Sequence, residues 1–181
     1  DSTKTILYAL NGDGTVRWSY EKSDIVSGGV AVSPDGRHVY LASQSAKLWV
    51  FDALSGQRVV EAKPSTDKPG LMVAAPVVGP DGTVYLQTTG KEPDKTDRRG
   101  NLIALDPAVF LNEDTRNESR WRYVAMQERA NGDLLMSLDF APVINAANTT
   151  VYAVSGSDKA VIAINRADGS LAYLAFLPKR V

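Results

Sequence analysis

Few side chains in this sequence could do chemistry, and their spacing limits what they could do. His38 is the single histidine, and cysteine is absent. One imidazole and no thiol exclude His-rich and Cys-rich zinc sites, disulfides and thiolate nucleophiles. A Ser-His-Asp relay would have to use His38, and the sequence contains no nucleophile elbow. His38 follows a turn glycine and opens a strand, so it is expected to be an edge or solvent-facing residue. The stretch Asn11-Gly-Asp13-Gly-Thr15 has the look of an opening calcium loop, but the twelfth position from Asn11 is Lys22, where a bidentate Glu is needed. A tight hairpin turn is expected there instead. The Pro-Asp-Gly triplets at 34–36 and 80–82 read the same way, because Pro presets φ and Asp-Gly tolerates positive φ. Two glycosylation sequons, at Asn117 and Asn148, are a weak pointer to secretion.

The elements that would position these residues recur. Gly29-Val-Ala-Val-Ser-Pro-Asp-Gly-Arg-His-Val-Tyr40 leads to Leu48-Trp-Val-Phe-Asp52. Ala75-Pro-Val-Val-Gly-Pro-Asp-Gly-Thr-Val-Tyr85 leads to Leu102-Ile-Ala-Leu-Asp106, and Ala141-Pro-Val-Ile-Asn-Ala-Ala-Asn-Thr-Thr-Val-Tyr152 leads to Val161-Ile-Ala-Ile-Asn165. A partial copy, Leu7-Tyr-Ala-Leu-Asn11, opens the chain. Each full copy reads as four antiparallel strands, A to D, rich in Val, Ile, Tyr and Trp. The expected strands are 25–32, 38–42, 47–52 and 58–62; then 73–78, 84–87, 101–106 and 120–125; then 140–145, 150–154, 160–165 and 170–176. The opening fragment supplies C (5–11) and D (15–21), for fourteen strands in all. Residues 107–112 could make one helical turn.

Asn11, Asp52, Asp106 and Asn165 lie 41, 54 and 59 residues apart. The shortest spacing is that of a four-stranded propeller blade, and the excess is inserted loop. Repeats that cannot bury both sheet faces alone must stack. The expected fold is therefore all-β, a single partial β-propeller with a half blade at 1–24 and blades at 25–66, 70–126 and 138–178. Three and a half blades do not close a ring. The missing blades would come from a longer polypeptide, of which this chain is a fragment, or from a second propeller-completing chain. A four-bladed ring completed by strands from elsewhere is a third arrangement.

The C–D hairpins resemble the repeat of quinoprotein-type (PQQ-like) β-propellers, which reads roughly Ala-x-Asp-x-x-x-Gly-x-x-x-Trp. Ala9-Leu-Asn11 with Trp18 carries it, slightly contracted. Asp52 with Gly56 and Asn165 with Gly169 carry it without the Trp, and Asp106 and Trp121 carry it across an insertion. The resemblance implies that Trp18 and Trp121 pack between blades. It also implies two quite different functions. Some members are quinone-dependent dehydrogenases that use PQQ and Ca²⁺, whereas others are cofactor-free scaffolds of the outer-membrane assembly machinery. No catalytic residue of the dehydrogenases maps onto this chain, so neither cofactor is expected. WD40-like propellers share much of the pattern.

In a propeller, B–C and D–A loops emerge on one face and A–B and C–D loops on the other. Three long insertions, 63–71, 90–100 and 127–135, would share the first face, and 107–119 would lie on the opposite one. Loops of that length in compact repeats are usually functional or mobile. The candidate partner-binding residues are therefore Lys68, Lys91, Glu92, Asp94, Lys95, Asp97, Arg98, Arg99 and Arg129. Their mixed signs also suit a solvated loop.

Twenty basic and twenty-one acidic residues give a net charge of −1, which offers no footprint for nucleic acid. No apolar run is long enough to span a membrane. The chain opens without an apolar leader or an initiating Met, which suggests a trimmed precursor. The expected function is a non-catalytic propeller scaffold for protein–protein assembly, periplasmic or secreted by analogy, with the cytoplasm left open. The alternatives are a fragment of a quinone/Ca-dependent dehydrogenase whose catalytic residues lie elsewhere, and a sugar- or peptide-binding sensor domain.

Overall fold

The structure is a computed structural model that describes residues 4–24, 26–64, 71–72, 74–91, 98–127, 134–136, 138, 140–156 and 158–178. The opening hairpin pairs β1 (Thr5–Leu10) with β2 (Val16–Lys22). The first full sheet runs in order through β3 (Val26–Val32), β4 (His38–Ser43), β5 (Leu48–Asp52) and β6 (Arg58–Ala62). In the second sheet β7 (Leu71–Met72) and β8 (Val77–Val78) both pair with β9 (Val84–Lys91), which pairs with β10 (Arg98–Leu105). Helix α1 (Pro107–Phe110) follows, and β11 (Trp121–Val124) closes this sheet on β10. A short hairpin of β12 (Met126–Gln127) and β13 (Leu134–Leu135) leads on. The last sheet is β14 (Val143–Ile144), β15 (Thr150–Ser155), β16 (Ala160–Asn165) and β17 (Leu171–Phe176), in that order. Every pairing is antiparallel, giving the nearly all-β, three-and-a-half-blade partial propeller expected from the repeats.

Among the described residues, three apolar clusters sit where sheet meets sheet. Leu41, Trp49 and Phe51 pack against Leu7 and Tyr20 of the opening hairpin. Tyr40, Leu48 and Val50 point the other way, toward Val84, Leu86 and Ile103 of the second sheet. Tyr85, Leu102 and Ala104 meet Val151, Ile162 and Ile164 of the third. Successive residues of a strand face opposite sides, so a strand between two sheets must be apolar on both. This explains the uninterrupted runs Leu48-Trp-Val-Phe51 and Leu102-Ile-Ala-Leu105, all fully buried.

The described strands number seventeen rather than fourteen, and the differences have local causes. The expected strand 73–78 shortens to β8, with β7 lying ahead of it, and Pro76, just before β8, has no N–H to donate to a ladder. The third copy repeats this, since strand 140–145 shrinks to β14 just after Pro142. Of the expected loop 90–100, residues 90–91 and 98–100 are strand, and 92–97 lie outside the described residues. β9 and β10 run on through Thr88 and Thr89, pairing Lys91 with Arg98, Gly90 with Arg99 and Thr89 with Gly100. β-Branched Thr suits that extended pairing. The expected loop 127–135 contains the β12–β13 hairpin, which brings Met136 over the second sheet, where the Gly100 N–H donates to the Met136 carbonyl at 2.7 Å. A Cβ on Gly100 would lie 2.6 Å from Leu138 Cγ, so only glycine allows this approach.

Candidate functional site

The short A–B and C–D turns hold carboxylates that might do chemistry, and each of these is already engaged. In the C–D turns, Asp13 accepts from the Thr15 hydroxyl (2.6 Å) and N–H, Asp52 from the Ser55 hydroxyl and N–H (both 2.7 Å), and Asp168 from the Ser170 N–H and hydroxyl. In the A–B turns, Asp35 accepts from the Ser33 hydroxyl at 2.5 Å and the Arg37 N–H. Hydroxyl and backbone donors hold all four below their usual range, Ser55 contributing most at Asp52 and Ser33 at Asp35. The third A–B turn does the same with an amide, as Asn145 accepts from the Thr149 and Thr150 N–H groups.

A second recurring arrangement joins the sheets. Trp18, on β2, donates its indole N–H to the Ala53 carbonyl at 3.0 Å and lies on Gly56 of the β5–β6 turn. Trp121, on β11, donates to the Arg166 carbonyl at 2.9 Å and lies on Gly169 of the β16–β17 turn. Both glycines have positive φ, 72° and 76°, and a Cβ on either would come within 2.5–2.7 Å of indole Cδ2. Between the first and second sheets the β10–β11 connection begins with α1 instead of a glycine turn, and Val60 and Phe110 share the apolar cluster there. The Asp106 carboxylate accepts from the Ala108 N–H and caps α1. The insertion after α1 starts on the C–D side, yet Asn117 reaches the far end of β6 and accepts from the Lys63 N–H at 2.7 Å.

Sequence reasoning did not single out Arg166. It is 7% exposed and ties three segments together. Its Nε donates to the Tyr85 hydroxyl, and its terminal nitrogens donate to the Asn148 carbonyl and to Asp81 Oδ1, each at 2.6 Å. Its guanidinium carbon also lies 5.6 Å from the Tyr85 ring centroid. At Asp81 partial burial pushes the pKa up, but the Thr83 hydrogen bonds and the Arg166 charge outweigh it and leave the carboxyl below its usual range. A Cβ on Gly79 would sit 2.8 Å from the guanidinium, so the small residue makes room for the clamp. The signal in the sequence was copy-specific: Arg166 occupies the register of Ala53 in the first blade.

Of the candidate loop residues, Lys68, Glu92, Asp94, Lys95, Asp97 and Arg129 lie outside the described residues. Lys91 ends β9, and Arg98 and Arg99 open β10, so these three sit on strands rather than in a loop. His38 opens β4, half-buried, paired in register with Asp52. Among the described residues no group of three or more His, Cys, Asp or Glu could hold a metal ion, and no helix is long and apolar enough to cross a membrane.

Stacked four-stranded sheets joined by Trp-on-glycine docks define a PQQ-like β-propeller. A family model described as outer membrane protein assembly factor BamB matches residues 2–172, and the chain belongs to that family. The crystal structure of BamB from Moraxella catarrhalis is 19% identical with a TM-score of 0.61, covering 94% of this chain and 42% of that one. The quinohemoprotein alcohol dehydrogenase ADHIIG from Pseudomonas putida HK5 is 17% identical with a TM-score of 0.70, over 95% and 31%. The β-propeller domain of Cps50 (Swd1) from Myceliophthora thermophila is 13% identical with a TM-score of 0.60, over 86% and 42%. The chain thus spans less than half the length of each of these structures. At such identities the likeness is one of fold. No curated protein matches the chain significantly.

Proposed function

We propose that this chain is a portion of a non-catalytic β-propeller scaffold that holds other proteins together in an assembly. The observation that carries this reading is the commitment of its acids: five turn carboxylates are bound by hydroxyl, backbone or guanidinium donors and held below their usual range. A general acid or base works best with a pKa near the operating pH, and these groups are tuned the other way. The family description, an assembly factor, points in the same direction.

The binding surface of this scaffold is the face that carries the 65–70, 92–97 and 128–133 connections, with Lys91, Arg98 and Arg99 leading into the central one. Its compartment is extracytoplasmic. The apolar faces at the two ends of the stack, Ile6, Tyr8, Leu10 and Val16 at one and Val143 and Tyr173 at the other, are covered in the working protein by further blades.

The competing reading, a dehydrogenase, is separated by titrating the protein with PQQ and Ca²⁺ while following quinone absorbance and alcohol oxidation. The scaffold reading expects no saturable quinone binding and no turnover. Stoichiometric quinone uptake accompanied by alcohol oxidation would overturn it.

A further inference from the structure

A second feature of the A–B and C–D turns is a cleft of about 300 Å³ between the first and second blades. Pro34 and Pro80 from the two A–B turns wall it, with Pro107 and Leu111 from the start and end of α1. This wall belongs to one seam only, because the third A–B turn, Asn145-Ala-Ala-Asn148, has no proline. Gly82 lets the wall close up, since a Cβ there would lie 3.2 Å from Pro107 Cγ.

Two rings from β4 supply the polar lining. His38 and Tyr40 are two residues apart, hence on one face of the strand, with ring centroids 6.4 Å apart. Tyr40 is only 1% exposed and stands edge-on to Phe110 at 5.9 Å. It also lines the cleft, which leaves its hydroxyl open to a ligand there. Burial, together with the nearby Asp35 charge, pushes this phenol up to about 12, so it stays protonated.

The charge around the cleft is negative. Asp35 stands at its edge with Oδ1 taken by Ser33 and Arg37 N–H, while Oδ2 faces the exposed Arg37 at 3.8 Å. Asp52 lies across from His38. Asp81 also lines the cleft but is already matched by Arg166.

We propose that this cleft receives the side chain of a lysine presented by a partner protein. The four-carbon stem lies along the proline wall, and the ammonium, with three donors and no acceptor, meets the Tyr40 hydroxyl oxygen, the His38 imidazole and Asp35 Oδ2. Lysine fits better than arginine, because a guanidinium fork seeks two oxygens of one carboxylate and Asp35 Oδ1 is already engaged by Ser33. The proposal names a partner's chemistry and so rests on the scaffold reading. Testing it with a small probe separates the two, since failure of the cleft leaves the assembly role standing.

The experiment follows the backbone amide NMR shifts of the protein during titration with Nα-acetyl-lysine methylamide, with the norleucine and arginine analogues in parallel. The expected result is saturable shifts confined to residues 33–40, 79–82 and 107–111, with both analogues at least tenfold weaker. Asp35→Asn should weaken the lysine probe about tenfold and Tyr40→Phe several-fold, and His38→Gln gives a third check should either variant misfold. Equal binding of norleucine, unsaturating shifts scattered over surface carboxylates, or folded variants that bind like the parent would each overturn the proposal.

Discussion

Trp121 shows how one side chain is fixed from both ends. Its indole N–H needs an acceptor once buried, and the Arg166 carbonyl supplies one at 2.9 Å. The flat of its ring needs a surface without a Cβ, and Gly169 supplies that at a positive φ that other residues adopt only with strain. Trp121→Ala removes a large buried aromatic and should cost about 3–5 kcal/mol in urea unfolding. Gly169→Ala adds one methyl group against the ring and at an unfavourable φ, and should lower the urea midpoint without changing the slope. An unchanged midpoint for Gly169→Ala would show that the dock does not hold the blades together. Arg166 extends the same dock by joining Tyr85, Asp81 and the Asn148 carbonyl across the seam.

At the scale of elements, the turns are the units that repeat most faithfully, and they set the response to acid. The carboxyls of Asp13, Asp35, Asp52, Asp81 and Asp168 are lowered in the folded chain, as is Glu61, chiefly through Lys47. A carboxyl lowered on folding contributes stability that is complete above its unfolded pKa and is lost as pH falls through the folded value. The urea midpoint should therefore show no loss from these groups above about pH 5 and drop steadily below about pH 4, where unfolded carboxylates take up protons. A midpoint that rises on acidification would contradict this assignment. These turns were readable in the sequence because Pro presets φ and the glycines accept the positive φ found at Gly14, Gly36 and Gly82. The long apolar runs likewise announced strands buried on two sides. The shortening of the A strands was less legible, although Pro76 and Pro142 signalled it. The extension of β9 and β10 was hidden because charged residues such as Lys91 and Arg98 read as loop, while cross-strand pairing decided the matter. The Arg166 clamp was invisible for another reason: its partners lie 81 and 85 residues away at Tyr85 and Asp81.

For the whole molecule, the stack of blades leaves apolar strand faces at both ends. Val143 and Tyr173 share the outer face of the last sheet and are 61% and 49% exposed, and Tyr173 stands at the register that Trp18 and Trp121 occupy in the docked blades. Light scattering of the isolated chain should give a mass that rises with concentration above 19.5 kDa. The double variant Val143→Glu, Tyr173→Lys should suppress that rise, and a rise unaffected by it would place the contact elsewhere. The central claim is that the protein works by assembly through the face that carries the 92–97 connection. It is tested most directly by isolating the native protein under gentle conditions and measuring partner stoichiometry before and after residues 92–97 are replaced by a two-residue Asn-Gly turn. The predicted result is a defined complex that loses its partner when that segment is replaced while the blades stay folded. An unchanged complex, with the same partner at the same stoichiometry, would contradict it.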